Sequence, residues 1–192
     1  MNLPNQLTVS RFFLTIGFVV TMSVGWRFGY VVALVLFVLA AVTDYADGKI
    51  ARKYGLITDF GKLMDPLVDK IMVAGAFICL IPAVPEALPA WAVVVIISRE
   101  FLITGLRLLA VSKGVVLPAE SVGKHKTGWQ IATVIFFLVL LSVREFGGLG
   151  LSPAFLENIF VYAGRTLVAV ALGLTLYSGI GYLYRNWNLI KP

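Results

Sequence analysis

The chain has 192 residues, 59% of them hydrophobic and only 14% charged, with a mean hydropathy of +0.92. A soluble domain of this length needs more charge on its surface, so the composition excludes one and points to a protein with several membrane spans. The net charge of +6 does not call for nucleic acid, because the basic residues gather in particular connections.

Stretches of about 20 mostly apolar residues, the length that crosses a bilayer, fall near 9–26, 28–48, 63–82, 88–111, 128–146 and 159–184. The expected fold is an all-α integral membrane protein of six transmembrane helices, with residues 1–192 forming one domain. Arg11 precedes the first apolar run, and no small-residue cleavage pattern follows it, so this run reads as an uncleaved first helix. The second helix should run from about Phe28 to near Gly55, with "LITD" as the turn and the third span starting near Gly61.

"PAVPEALP" at 82–89 and "REFGGLGLSP" at 144–153 break the chain between helices three and four and between five and six. Cys79 is the single cysteine, so it cannot form an internal disulfide. Ala169, Gly173 and Gly179 in the last helix suit close packing within the monomer. The other use of such a stripe is a seam between copies, and a homodimer is the expected assembly.

Charge placement gives an orientation. Lys49, Arg52, Lys53, Lys62, Lys113, Lys124, Lys126, Arg185 and Lys191 fall in one set of connections; the opposite set holds Arg27, Glu86, Arg144, Glu145 and Glu157. Lysine and arginine are retained on the cytoplasmic side, so both termini are expected there, in a cell (inner or plasma) membrane.

Residues 43–70 carry five of the ten acidic residues. Asp44 and Asp47 are three apart and Asp65 and Asp69 four apart, so on helices each pair shares a face. If the second and third helices pack antiparallel, the pairs face each other near the cytoplasmic surface. Four carboxylates at that depth repel and are costly to desolvate, so something positive must hold them. With one histidine and one cysteine, a zinc-type site is disfavoured. Hard oxygen ligands suit Mg²⁺, Mn²⁺ or Ca²⁺, and Mg²⁺ usually shares its coordination with phosphates. Gly48 and Gly61 clear space beside the aspartates, and Arg52 can offer a bidentate fork to phosphate. Taken singly, a pair of aspartates near a helix end can be ordinary charge placement, and a glycine in a membrane helix a packing residue.

As a pattern, residues 44–69 read D-x2-D-G-x2-A-R-x8-G-x3-D-x3-D, filled by Asp44, Asp47, Gly48, Ala51, Arg52, Gly61, Asp65 and Asp69. This resembles the complete signature of the CDP-alcohol phosphatidyltransferases. "LPNQLTVSR" at 3–11 is similar to the N-terminal segment of that family. "SREFLITGLR" at 98–107 and "GKHKTGWQ" at 123–130 resemble its bacterial branch that makes phosphatidylglycerol phosphate.

The resemblance implies that CDP-diacylglycerol meets an alcohol and CMP leaves. It implies that Asp44, Asp47, Asp65 and Asp69 hold two Mg²⁺ or Mn²⁺ ions, and that Asp69 is the base for the acceptor hydroxyl. Gly48, Ala51, Arg52, Thr58 and Gly61, with Asn5 and Thr8, would contact CDP-diacylglycerol. For glycerol 3-phosphate, a dianion, Arg99, Arg107, Lys124 and Lys126 are the candidate phosphate contacts.

Arg99 and Arg107 lie eight residues, about 12 Å, apart along the fourth helix. Glu100 beside Arg99 leaves open an internal ion pair, and Lys124 and Lys126 could be ordinary cytoplasmic anchors. "GKHKT" is not a nucleotide loop, since Pro118 and His125 stand where that motif needs glycine and a hydroxyl. Other acceptors (serine, inositol phosphate, phosphatidylglycerol) keep the same chemistry. A divalent-cation transporter and a non-catalytic scaffold are the readings from other classes; a transporter path should carry polar groups through the whole membrane depth, whereas "FVVTMSV" and "GAFICLI" are almost wholly apolar.

Overall fold

The computed structural model describes residues 3–54, 59–115, 117 and 121–187, without the side chains of 3–4, 45–54, 59–60, 62–63 and 121–124. Every regular element among them is helical: α1 (Leu3–Val24), α2 (Gly29–Tyr54), α3 (Asp59–Leu80), α4 (Ala90–Ser112), α5 (Ser121–Glu145), the short α6 (Pro153–Asn158) and α7 (Gly164–Arg185). A 3₁₀ turn (Gly147–Gly150) precedes α6, and a π turn (Ile159–Ala163) joins α6 to α7 into one stretch of 33 residues. Six long helical stretches thus stand where six apolar runs are predicted.

Two boundaries differ from the sequence reading. α1 starts at Leu3, before the apolar run, because "LPNQLTVSR" continues the same helix. The last stretch starts at Pro153, where Ser152 caps α6 by accepting the Phe155 N–H (3.2 Å) and Pro153 occupies the first turn, a position that needs no N–H donor.

Three stretches of the described residues are long and apolar enough to cross a bilayer: Asn5–Val24, His125–Glu145 and Pro153–Arg185; Gly29–Asp44 is a shorter apolar run. α4 is mostly apolar, and its charged residues are Arg99, Glu100 and Arg107. On the outside of the bundle, Phe13, Val20, Val35, Ile78, Val94, Val139 and Ile180 are exposed. A continuous apolar exterior of this kind is a liability in water and an asset in lipid.

Phe18, Phe37, Phe77, Phe137, Leu80, Leu88, Ile96 and Leu138 fill the centre, with the Phe18 and Phe37 rings 5.8 Å apart. α1 packs along both α2 and α3, while α5 packs along α2 and α7. The π turn widens the helix by one residue and sets the register at which Gly164 meets α5. A Cβ on Gly164 would lie 2.7 Å from Phe137 Cε1, so only glycine fits there. At the same end, the N-terminus of α2 is capped from α5: the Tyr30 and Val31 N–H groups donate to the two Glu145 carboxylate oxygens at 3.1 and 3.3 Å.

Candidate active site

One face of α1 organises the acidic cluster. Asn5, Thr8, Arg11 and Thr15 recur at three- and four-residue spacing and are all buried. Thr8 Oγ1 donates to Asp65 Oδ1. Arg11, whose side chain is 0% exposed, places Nη1 on Asp44 Oδ1 at 2.9 Å and on Asp69 Oδ1. Thr15 Oγ1 donates to the Arg11 carbonyl at 2.8 Å. Asp44 comes from α2, and Asp65 and Asp69 come from α3. Three aspartates on two helices therefore converge on α1.

α2 and α3 touch each other little because α1 lies against both, but the expected meeting of aspartates holds for Asp44 and Asp69, which come together on Arg11 Nη1. The positive group that the carboxylates require is in part covalent, since the Arg11 guanidinium is always charged. The Asp44 and Asp69 side chains keep 40% and 41% of their surface, so their oxygens are open to a ligand while Arg11 is sealed behind them. Gly61, one turn before Asp65, is buried. Among the described residues, no three His, Cys, Asp or Glu side chains alone are arranged to hold a metal, a set that excludes the Asp47 side chain.

A second charged cluster lies beside the first. Glu100 Oε1 receives Lys126 Nζ and, at 3.4 Å, Arg99 Nη1. Arg99 Nη2 also donates to Ser178 Oγ at 3.0 Å on α7. Gly179 makes the room, since a Cβ there would sit 2.9 Å from Arg99 Cγ. Lys126 is 3% exposed. One carboxylate cannot neutralise two cations, so the cluster keeps an excess of positive charge at little dielectric screening. Arg107 lies two turns further along α4, is exposed, and reaches the Leu117 carbonyl at 3.5 Å.

A cleft of about 220 Å³ joins the two clusters. Asp69, Lys70, Glu100, Thr127 and Gln130 give it a polar side, and Val73, Ala74, Ile96, Ile97 and Phe101 an apolar one. A space with one wall of each kind suits a molecule with a charged head and an apolar body.

Comparison with known proteins places the chain. The family model of the CDP-alcohol phosphatidyltransferases matches residues 1–177. The chain belongs to the CDP-alcohol phosphatidyltransferase family.

Among its relatives is the CDP-diacylglycerol–glycerol-3-phosphate 3-phosphatidyltransferase of Bacillus subtilis (strain 168), 38% identical over 99% of this chain and 97% of that protein. The protein of the same name from Rickettsia bellii (strain RML369-C) is 33% identical over 94% of this chain and 93% of its own length. A probable phosphatidylglycerophosphate synthase of Mycobacterium tuberculosis (strain ATCC 25618 / H37Rv) is 34% identical over 96% of this chain and 81% of that protein.

In this CDP-alcohol phosphatidyltransferase, the structure brings Asp44, Asp65, Asp69 and Thr8 to one place, and Arg99 and Lys126 to another beside it. Asp47, Gly48, Ala51 and Arg52 stand on α2, and Lys124 on α5, but their side chains lie outside the described residues, as does Thr58 altogether. Arg11, Lys70 and Gln130 are absent from the site predicted from sequence. For Arg11 a signal existed: it is a lone charge at the start of a bilayer-length apolar helix, and such residues normally face a partner in the bundle. Its three-residue spacing from Thr8 and four-residue spacing from Thr15 put it on their face.

Proposed function

We propose that this chain transfers the phosphatidyl group of CDP-diacylglycerol to glycerol 3-phosphate, giving phosphatidylglycerol phosphate and CMP for phospholipid biosynthesis. Family membership and the names of its relatives support the reaction class and the acceptor. The observation that carries the reading is the convergence of Asp44, Asp65 and Asp69 on one buried face of α1, half-open to a ligand.

The donor set fits divalent metal: the oxygens are hard, accessible and already organised around a positive group. Asp44, Asp47, Asp65 and Asp69 would hold two Mg²⁺ or Mn²⁺ ions, which when bound would supply neutralisation of the diphosphate and of the charge that develops on the CMP leaving group. Asp69 lines the cleft and accepts the proton of the acceptor hydroxyl as its oxygen attacks the phosphorus bearing the lipid. The new phosphorus–oxygen bond forms as the bond to the CMP phosphate breaks. Asn5, Thr8, Gly48, Ala51, Arg52, Thr58 and Gly61 form the CDP side.

Arg99 and Lys126, with Arg107 and Lys124 nearer the loop, attract the acceptor phosphate. The excess positive charge around Glu100 supports that role. Residues 1–192 make one domain crossing the cell membrane six times, with both termini and the site on the cytoplasmic side; the lysine-rich connections support that orientation. The exposed face of α7, with Ala169, Gly173 and Tyr177, supports a homodimer.

The test is product formation by purified protein in detergent with CDP-diacylglycerol, glycerol 3-phosphate and Mg²⁺. Phosphatidylglycerol phosphate from the wild type and none from Asp69→Asn is the expected result; equal product from both removes Asp69 from the chemistry.

A further inference from the structure

We propose that Arg11 is a tethered counter-ion that competes with divalent metal for Asp44 and Asp69, so that α1 sets the metal affinity of the site. This rests on the reading of the aspartates as metal ligands. Arg11 is sealed from solvent, and its guanidinium touches one carboxylate from α2 and one from α3. A buried charge persists only where it is paired, so these contacts hold α2 and α3 together through α1 whatever else is bound. Thr8 on the same face ties α1 to α3 through Asp65, while Thr15 bonds back to the Arg11 carbonyl within α1 itself.

A metal ion approaching Asp44 and Asp69 from their open side meets carboxylates already sharing charge with a cation behind them. It must divide them with Arg11 and be repelled by it at short range. The wild-type site therefore binds its ions more weakly than its carboxylates alone allow, and it keeps its shape when they leave. Arg11 is a positioning residue, since it acts through the aspartates.

The experiment is Mn²⁺ titration of purified protein without substrate, followed by the electron paramagnetic resonance signal of free Mn²⁺. Thermal unfolding is recorded with and without the ion. Arg11→Gln is expected to bind Mn²⁺ at least about tenfold more tightly, the direction that removing a like charge at short range demands. Its Tm falls without Mn²⁺ and largely recovers with it, because the ion binds only the folded state.

Arg11→Lys keeps a positive charge, but on a compact, flexible ammonium in place of the fixed Nη1 that now touches both carboxylates, and should fall between the two proteins. It carries the comparison if the glutamine variant does not fold. Unchanged or weaker Mn²⁺ binding in the variants, with the same loss of Tm in both conditions, makes Arg11 a structural tie only and overturns the proposal. No Mn²⁺ binding by the wild type overturns the metal reading itself, and the competition falls with it.

Discussion

Arg99 depends on an atom that its neighbour lacks. It can turn toward Glu100 and Ser178 only because Gly179 has no side chain, and a methyl group there would press on Arg99 Cγ, which is too near the backbone to swing away cheaply. Gly179→Ala should raise the KM for glycerol 3-phosphate several-fold and leave the KM for CDP-diacylglycerol nearly unchanged. Steady-state kinetics in both substrates check this, and an equal change in both would detach Arg99 from the acceptor.

The same residue marks the limit of sequence reading. Gly179 reads as a packing glycine because the contact that requires it lies 80 residues away on α4, whereas Ala169 and Gly173 of the same stripe turn to the exposed face. The aspartates were legible because their spacing is itself helical. Arg11 was not brought into the site, since its partners stand 33 and 58 residues further on and a cation ahead of an apolar run also reads as a flank. Arg99 and Glu100 were legible as an ion pair; that Lys126 shares the same carboxylate was not.

At the scale of helices, two contacts at the end of the bundle away from the aspartates carry stability without touching the chemistry. Gly164 faces Phe137 with no room for a Cβ, so Gly164→Leu overpacks the joint and should cost about 1–3 kcal/mol. Glu145 closes the N-terminus of α2, and Glu145→Ala should cost about 0.5–2 kcal/mol, the usual worth of a cap. Thermal unfolding in detergent measures both, with the activity of the folded fraction expected to stay near wild type. A larger fall in activity than in folded protein would show that the two ends are coupled. The six helical runs were legible from length and hydropathy. The π turn was not, because no residue type demands it: it exists to bring Gly164 into register with α5.

For the whole molecule, polarity is divided by depth. Arg11 with its aspartates and Glu100 with Arg99 and Lys126 gather where α1, α2, α3, α4 and α5 meet around the cleft, Phe18, Phe37, Phe77 and Phe137 occupy the centre, and a separate set of charges, Glu86, Glu145 and Arg165 among them, stands at the opposite end. That division favours a site open at one face over a polar path through the membrane. In the proposed reaction such a site would take a water-soluble acceptor from one side and a lipid donor laterally from the bilayer. Chelation should abolish turnover and leave the bundle folded, because the aromatic core and the Arg11 contacts do not need metal; helical circular dichroism after chelator treatment, beside the activity, tests this.

The measurement that bears most directly on the central claim is CMP release by purified protein with CDP-diacylglycerol and Mg²⁺ or Mn²⁺. Glycerol 3-phosphate, serine, inositol phosphate and phosphatidylglycerol are compared as acceptors, in the wild type and in Asp69→Asn. Release with glycerol 3-phosphate alone, lost in the variant, is the result this account predicts. Release with serine alone would contradict the roles of Arg99 and Lys126, release with inositol phosphate or phosphatidylglycerol in place of glycerol 3-phosphate would contradict the choice of acceptor, and release with none of the four would contradict the assignment of phosphatidyl transfer to this site.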